Sequence, residues 1–357
     1  MSRARRLAIV ADDLTGAADA AAPFAARGAE ISIALRWPPP DGLEVLALVT
    51  DSRWRDAQTA DSRVRGAVRC ARAWGADQLF VKIDSTLRGH VLVEVAAALA
   101  AWGDATAVAT PAFPAQGRLV RDGVLYVHGV AHTLAVAACF PPGVEVCDAD
   151  DEVGLRRLAR RLVRDDSVAV GSAGLACALA EELAPGICAR RRPAAPVAGV
   201  LVAVGTTHPA SRAQSAVLQE AGVTSLVVDA GAPARLDQAV VELTRGGRVL
   251  VTTDATVDVQ GDSPLAQAMA IRLADVVRTL LIAARTSALV VTGGSTALAV
   301  ATSLEATSLR LLDEARPGVP LGELVTPVRP IPTITKSGGF GSPDALLRAV
   351  ELLEECA

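Results

Sequence analysis

The chain has 357 residues, 51% of them hydrophobic, and a formal charge of -4; it can bury sizeable cores, exceeds the usual length of one compact domain, and is expected to form two. Aromatic residues make up only 3%, and no basic cluster is larger than Arg190-Arg191-Arg192, which removes the stacking and phosphate-gripping footprint of a nucleic-acid partner. No stretch approaches the roughly 18 uncharged apolar residues of a membrane span. The basic start, Met1 to Arg6, leads into an apolar run that Asp12 and Asp13 cut short, too short for a signal peptide. A cytoplasmic protein with neither a membrane nor a nucleic-acid partner is therefore expected. The six cysteines contain no C-x-x-C pair, as suits reduced structural thiols.

Along the chain, short Val, Ile and Leu runs alternate with longer Ala, Leu and Arg segments of helical spacing, the pattern of parallel strands joined by crossover helices. Strands are predicted at Leu7–Ala11, Ile31–Leu35, Val45–Thr50, Leu79–Ile83, Ala107–Thr110 and Val168–Val170, with helices at Gly16–Arg27, Asp56–Trp74, Val91–Trp102 and Asp151–Arg164. Pro, Gly and the arginine run between Pro185 and Pro196 mark a linker that divides residues 1–188 from residues 189–357. Beyond it, strands at Gly199–Val204, Ser225–Val228, Val249–Thr252 and Ala288–Val291 alternate with helices, including an alanine-rich one at Leu265–Ala284. The fold class is α/β, with two α/β domains built on mainly parallel sheets. The alanine-rich helices suit packing inside a domain and against a second subunit equally well, so a homodimer stays open.

Asp12, Arg53 and Asp84 each follow the carboxyl end of a predicted strand. In an open parallel sheet those ends share one edge, where ligands bind. There an aspartate can accept a bond from a substrate hydroxyl and act as its base, while Arg53, Lys82 and Arg88 can grip a carboxylate or a transferred phosphoryl group. Asp13 or Thr15 also suits capping of the helix that follows, and Lys82 to Gly89 also suits a surface loop with an internal ion pair. Pro111 to Arg118 and Asp122 to Gly129 read either as a loop lining a cleft or as a structural hairpin. His128 and His132 have the spacing of metal ligands only on a helix, which Gly129 and the strand-like Val124–Val127 oppose, so no metal site is expected.

Toward the other end, Leu289-Val290-Val291 leads into Thr292-Gly293-Gly294-Ser295-Thr296 and then an apolar helix start. Exposed N–H groups and the helix dipole make such a turn an anion site. Lys336 to Gly341 precedes Pro343, which suits a first helical turn; Lys336 can meet a phosphate while Gly338 and Gly339 let backbone approach it. A third candidate, Gly205 to Arg212 with His208 and Ser211, follows the strand at Gly199–Val204. Neither G-x-x-x-x-G-K-[ST] nor a G-x-G-x-x-G after the first strand is present, and Gly171 to Ala176 reads as a close-packing turn or cleft element. Charged islands early and glycine islands late divide the chain as a small-molecule kinase requires: one half grips a polar substrate, the other cradles phosphate.

On Ala11-Asp12-Asp13-Leu14-Thr15-Gly16-Ala17, Asp51-Ser52-Arg53, Lys82 to Gly89, Pro111 to Arg118, Gly171 to Ala176, Thr292 to Thr296, Pro317-Gly318-Val319-Pro320 and Lys336 to Gly341, the chain resembles the four-carbon acid sugar kinase family, which phosphorylates tetronates with ATP. The resemblance implies an N-terminal domain for the sugar acid and a C-terminal domain for ATP, facing one another across a cleft. By position, Asp12, Arg53, Lys82, Ile83, Asp84 and Ser85 would contact the acid. His208 to Ser211, Gly293, Gly294, Ser295, Thr296 and a glycine of Gly338-Gly339 would meet ATP, with Mg2+ at its phosphates. The chain departs from the family pattern at Ser295, where an acidic residue is common, at His208, where a serine is common, and in its shorter C-terminal domain. Lys82 to Arg88 looks more like the threonate and erythronate branch than the 3-oxo-tetronate branch. The implied reaction is transfer to the terminal C4 hydroxyl, with Asp12 or Asp84 as base. A nicotinamide-dependent dehydrogenase is disfavoured by the missing fingerprint, and a non-catalytic two-domain sensor is kept open by the departures at Ser295 and His208.

Overall fold

Leu7-Ala8-Ile9-Val10-Ala11 has no polar side chain to turn toward water, and its strand is buried along its whole length, as a strand covered on both faces must be. The computed structural model describes residues 5–103, 105–184, 191–195, 197–228, 236–253 and 263–355. The chain divides into two compact units, Met1–Arg190 and Arg191–Ala357. Of the predicted linker, residues 185–190 and 196 lie outside the described residues.

The first unit opens with β1 (Leu7–Ala11), α1 (Leu14–Ala25), β2 (Ile31–Ala34), β3 (Val45–Val49), α2 (Ala57–Trp74), β4 (Gln78–Lys82), α3 (Val91–Trp102) and β5 (Ala107–Thr110). A meander follows, β6 (Arg118–Arg121), β7 (Val124–Val127) and β8 (Val130–Ala135). The unit closes with β9 (Val144–Val146), α4 (Glu152–Asp165), β10 (Val168–Gly171) and α5 (Ala173–Leu183). The main sheet runs β2-β3-β1-β4-β10-β5-β9, with every pairing parallel.

The starts of α1, α2 and α4 fall one or two residues from the predicted ones because aspartates act as caps. Asp13, Asp56 and Asp151 accept from the backbone N–H of Gly16, Thr59 and Gly154 at the starts of α1, α2 and α4, satisfying donors that the first helical turn leaves open. On α4 the buried Leu155, Leu158, Ala159 and Leu162 form one apolar stripe, whereas α1 is buried along all its residues, half of them alanines. Between Arg118 and Ala135 the chain forms hairpins: β6, β7 and β8 are joined by the two-residue turns Asp122-Gly123 and His128-Gly129. His132 lies in β8, not on a helix.

The second unit runs β11 (Val200–Val204), α6 (Pro209–Glu220), β12 (Thr224–Val228), α7 (Leu236–Thr244), β13 (Arg248–Thr253), α8 (Pro264–Ala283), β14 (Ala288–Thr292) and α9 (Gly294–Ser303). An antiparallel meander follows, β15 (Ser308–Arg316), β16 (Val319–Val325) and β17 (Pro330–Lys336), then α10 (Ala345–Glu354). The strand order is β12-β13-β11-β14-β17-β16-β15. Val202, Leu250, Val290 and Ile334 pack from the strands against Leu346, Val350 and Leu353 of α10. The predicted place of Pro343 in a first helical turn is corrected: α10 begins at Ala345 behind the cap Asp344, and the proline belongs to the turn before it. Among the described residues, no helix is long and apolar enough to cross a membrane, and Cys70, Cys139 and Cys147 are free thiols.

In both units the direction of the crossovers reverses at the middle of the sheet. The helix after β1 leads to β2 on one side and the helix after β4 leads to β5 on the other; α6 and α9 diverge in the same way from β11 and β14. Ligands of open α/β sheets bind outside the carboxyl ends of the strands at such a reversal.

Candidate active site

In the first unit, Ala11 pairs with Val49 of β3 on one side and Lys82 of β4 on the other, so the segments that leave the three strands emerge along one edge. Arg53 is where they meet. Its Nε donates to Asp12 Oδ2 at 2.6 Å and its Nη2 to Asp12 Oδ1 at 2.8 Å. Its Nη1 pairs with Asp13 Oδ2, and its Nη2 lies 3.7 Å from Asp84 Oδ2. One guanidinium thus balances three carboxylates, geometry that the planar five-donor fork of arginine permits and lysine does not.

The loop that carries Arg53 is braced from outside. Arg63 donates to Thr50 O at 3.0 Å and Asp51 O at 2.7 Å, and Arg55 to Asp51 Oδ2 at 2.8 Å. Asp84 accepts from Thr86 N at 2.9 Å, Thr86 Oγ1 at 2.6 Å and Arg88 Nη2 at 2.6 Å. Lys82 is buried with Nζ donating to Ile83 O at 2.9 Å, and Ile83 and Ser85 are buried beside it. A Cβ at Gly16 would lie 2.9 Å from Asp13 Oδ1 and 3.3 Å from Lys82 Nζ, so the lysine amine closely approaches the start of α1.

The two candidate bases differ in electrostatics. Burial pushes the Asp12 carboxyl up from its ordinary range against the pull of Arg53, and Asp13 adds to the rise. Asp84 is buried too, but Arg53 and the bonds from Arg88 and Thr86 hold it far below the usual carboxylate range. The more basic carboxylate at this edge is Asp12.

In the second unit, Val204 pairs with Thr292 and Thr292 with Lys336, which aligns the three glycine-bearing loops along one edge. Gly293 caps α9 at φ 99°, with no side-chain capping bond. A left-handed backbone of this kind is open to glycine, and it leaves the first N–H groups of α9 to a ligand. The Lys336 to Ser342 loop is clamped from two sides. Ser211 Oγ donates to Gly338 O at 2.7 Å, and Gln214 Nε2 donates to Phe340 O, Gly341 O and Ser342 O at 3.0, 3.2 and 3.0 Å. Lys336 Nζ donates to Ser337 O at 2.7 Å and Phe340 O at 2.9 Å; burial pushes its amine down to about 7. His208 caps α6, its Nδ1 accepting from Ala210 N at 3.2 Å, and a side chain at Gly339 would reach within 3.2 Å of His208 Nε2. Ser295 is exposed in the first turn of α9. Among the described residues, no group of three or more His, Cys, Asp or Glu side chains is placed to hold a metal ion.

Residues 7–141 match the family described as Sugar-binding N-terminal domain, and residues 201–346 the family described as Nucleotide-binding C-terminal domain. The chain is 37% identical to the D-threonate kinase of Bordetella bronchiseptica, with 98% of each chain covered. It is 32% identical to the D-threonate kinase of Cupriavidus necator, with 97% of this chain and 98% of that one covered. The chain belongs to the four-carbon acid sugar kinase family. A solved structure from Salmonella typhimurium LT2, 21% identical over 96% of this chain and 98% of its own, has the same fold at a TM-score of 0.77.

Within the family frame, the charged edge falls in the domain described as sugar-binding and the glycine edge in the one described as nucleotide-binding. Sequence reasoning brought Asp12, Arg53, Lys82 and Asp84 to one edge but missed several neighbours. Asp13 does more than cap: one oxygen holds Gly16 N while the other pairs with Arg53. Asp19 is buried on α1, its Oδ1 has no hydrogen-bond partner, and burial raises its carboxyl to about 7 against the pull of Lys82. Glu94 is buried on α3, bonded to Ser52. An acid inside an otherwise apolar helical segment was the signal available for both. Arg118, at the head of β6, is held down by burial against the pull of Asp84, which adds a further cation to this edge.

Proposed function

We propose that this sugar acid kinase transfers the γ-phosphoryl group of ATP to the terminal C4 hydroxyl of a four-carbon acid such as threonate or erythronate, with residues 1–188 holding the acid and residues 189–357 the nucleotide. The observation that carries the proposal is the convergence of Asp12, Arg53, Lys82 and Asp84 where the crossovers reverse, inside the region that matches a sugar-binding domain. Curated relatives named D-threonate kinase support the acid class.

Asp12 accepts the proton of the C4 hydroxyl as its oxygen bonds to the γ-phosphorus. The bond from phosphorus to the β–γ bridging oxygen breaks, and ADP leaves. Arg53, paired with Asp12 before the acid arrives, is the cation for which a substrate carboxylate competes; with Lys82 it holds that carboxylate or neutralises the transferred group. Asp84 keeps its charge and fixes Arg88. Ile83 and Ser85 shape the wall. On the nucleotide side, Gly293 to Thr296 present backbone N–H groups, Lys336, Gly338 and Gly339 shape the second turn, and His208 to Ser211 the third. ATP brings Mg2+ with its phosphates, which neutralises charge during transfer; positioning and preorganised donors supply the rest.

The test is ADP release with ATP, magnesium and a panel of four-carbon acids, with glycerate and pentonates as controls. Turnover on one tetronate that drops by about 10²–10⁴-fold in Asp12→Asn, with ATP binding retained, is the expected result. Full turnover in that variant removes Asp12 as base, and silence across the panel removes the substrate class.

A further inference from the structure

Glu94 lies on α3 in the segment Val91 to Trp102, where it is the one charged residue, and it is buried. Its Oε1 is 2.5 Å from Ser52 Oγ, Ser52 Oγ is 2.6 Å from Thr50 Oγ1, and Thr50 Oγ1 donates to Ala11 O at 3.1 Å. A hydrogen bond at each contact needs a proton between its two oxygens, and each hydroxyl owns only one. Thr50 and Ser52 supply two protons, so all three contacts are hydrogen bonds together only when Glu94 supplies the third; with Glu94 ionised, Thr50 would turn its proton from Ala11 O, which also accepts from Thr50 N at 2.9 Å, to Ser52.

We propose that Glu94 is a neutral, protonated positioning residue that donates to Ser52, which donates to Thr50, which donates to the Ala11 carbonyl. The relay ends on both halves of the substrate-side ion pair. Ala11 immediately precedes Asp12, Ser52 immediately precedes Arg53, and Ser52 N donates to Asp12 O at 3.2 Å. Ionised, Glu94 would accept from Ser52, leave one oxygen–oxygen contact without a proton, and add a carboxylate charge beside Asp12. The groups that face it are Asp12 at the end of β1, Arg53 in the loop after β3, and His90 ahead of α3. Burial first and Asp12 second raise its carboxyl to about 7, against Ser52, Arg53 and His90. The catalytic part of the inference rests on the assignment of Asp12 and Arg53 to the sugar acid.

Two measurements test it on the full-length enzyme. In isotope-edited infrared difference spectra of wild type against Glu94→Gln, a protonated carboxyl band assigned to Glu94 is expected below pH 7 and lost above it. In kinetics, Glu94→Ala is expected to lose about 10²-fold in kcat/KM through misplacement of the pair, whereas Glu94→Gln, whose amide donates to Ser52, recovers most of that loss. Wild-type kcat/KM should fall as pH rises through about 7, and the glutamine variant should lack that fall. A carboxylate band for Glu94 below pH 7, or a glutamine variant as impaired as the alanine one, overturns the inference. If Glu94→Ala does not fold, Ser52→Ala breaks the same relay and takes its place. The infrared band reads the proton whether or not any tetronate is turned over, so failure here and failure of the kinase assignment remain distinct.

Discussion

The two units share a strand order around their centres, β2-β3-β1-β4 in one and β12-β13-β11-β14 in the other, and both place their candidate ligand edges where the crossovers reverse. The materials are opposite. The first unit assembles charged side chains that balance one another: one arginine against three carboxylates, and a second arginine on Asp84. The second unit offers backbone N–H groups at a glycine turn and uses its side chains, Ser211, Gln214 and Lys336, to hold loop carbonyls in place. A charged site must carry its own counter-ions before a ligand arrives, because an unpaired buried charge is costly. A backbone site needs only the right curvature.

The largest test of this contrast is Arg53→Met. It strands three carboxylates without their common cation and should destabilise the first unit by about 3–5 kcal/mol, with sugar-acid turnover lost and nucleotide affinity retained. Thermal unfolding and ATP titration check this; a parallel fall in nucleotide affinity would break the separation of roles.

The second test uses pH. Asp19 has a folded value of about 7 against 3.8 unfolded, so the unfolded chain gives up the proton first and the first unit loses stability as pH rises through that window. Lys336 has a folded value of about 7 against 10.5 unfolded. There the unfolded chain keeps a proton that the folded one has released, and the second unit gains stability as pH rises above 7. Each slope is worth roughly 2–3 kcal/mol over two pH units. Segment-resolved hydrogen exchange should show opposite trends in the two units, flattened in the first by Asp19→Asn combined with Glu94→Gln, because Glu94 also has a folded value of about 7, and in the second by Lys336→Met. Trends of the same sign, or slopes that survive those substitutions, would refute the assignment.

The smallest expected effect is Gly293→Ala. At φ 99°, with the new methyl 3.3 Å from Thr296 Oγ1, it should cost about 1–2 kcal/mol of backbone strain. Nucleotide affinity should fall about tenfold if that strain is borne by the bound form, with sugar-acid binding unchanged. Isothermal titration with each ligand separates the two.

Most of the parallel framework was legible because its strands are continuous apolar runs. Leu7–Ala11 and Ala107–Thr110 occur where the sequence places them, as does the helix Val91–Trp102. The antiparallel meander of β15, β16 and β17 was not. Its register breaks between Leu311 and Asp313 and again between Glu314 and Arg316, and prolines at 320, 330 and 332 blur the period-two signal on which strand reading depends. In the site, Asp12, Arg53, Lys82 and Asp84 could be picked out because charge at the end of a buried strand is hard to explain otherwise. The double use of Asp13, the unbonded Oδ1 of Asp19 and the bonding of Glu94 could not.

The sequence by itself determined which residues form strands and helices, and that charge and glycine gather at opposite ends of the chain, because burial and turn geometry act on neighbouring residues. Tertiary structure alone decided which carboxylate each cation meets, which carboxylate oxygen is left without a hydrogen bond, and where the proton between Glu94 and Ser52 belongs. Those outcomes depend on the register of β1 against β3 and β4 and on how far water is excluded there, and neither quantity exists until distant segments have packed.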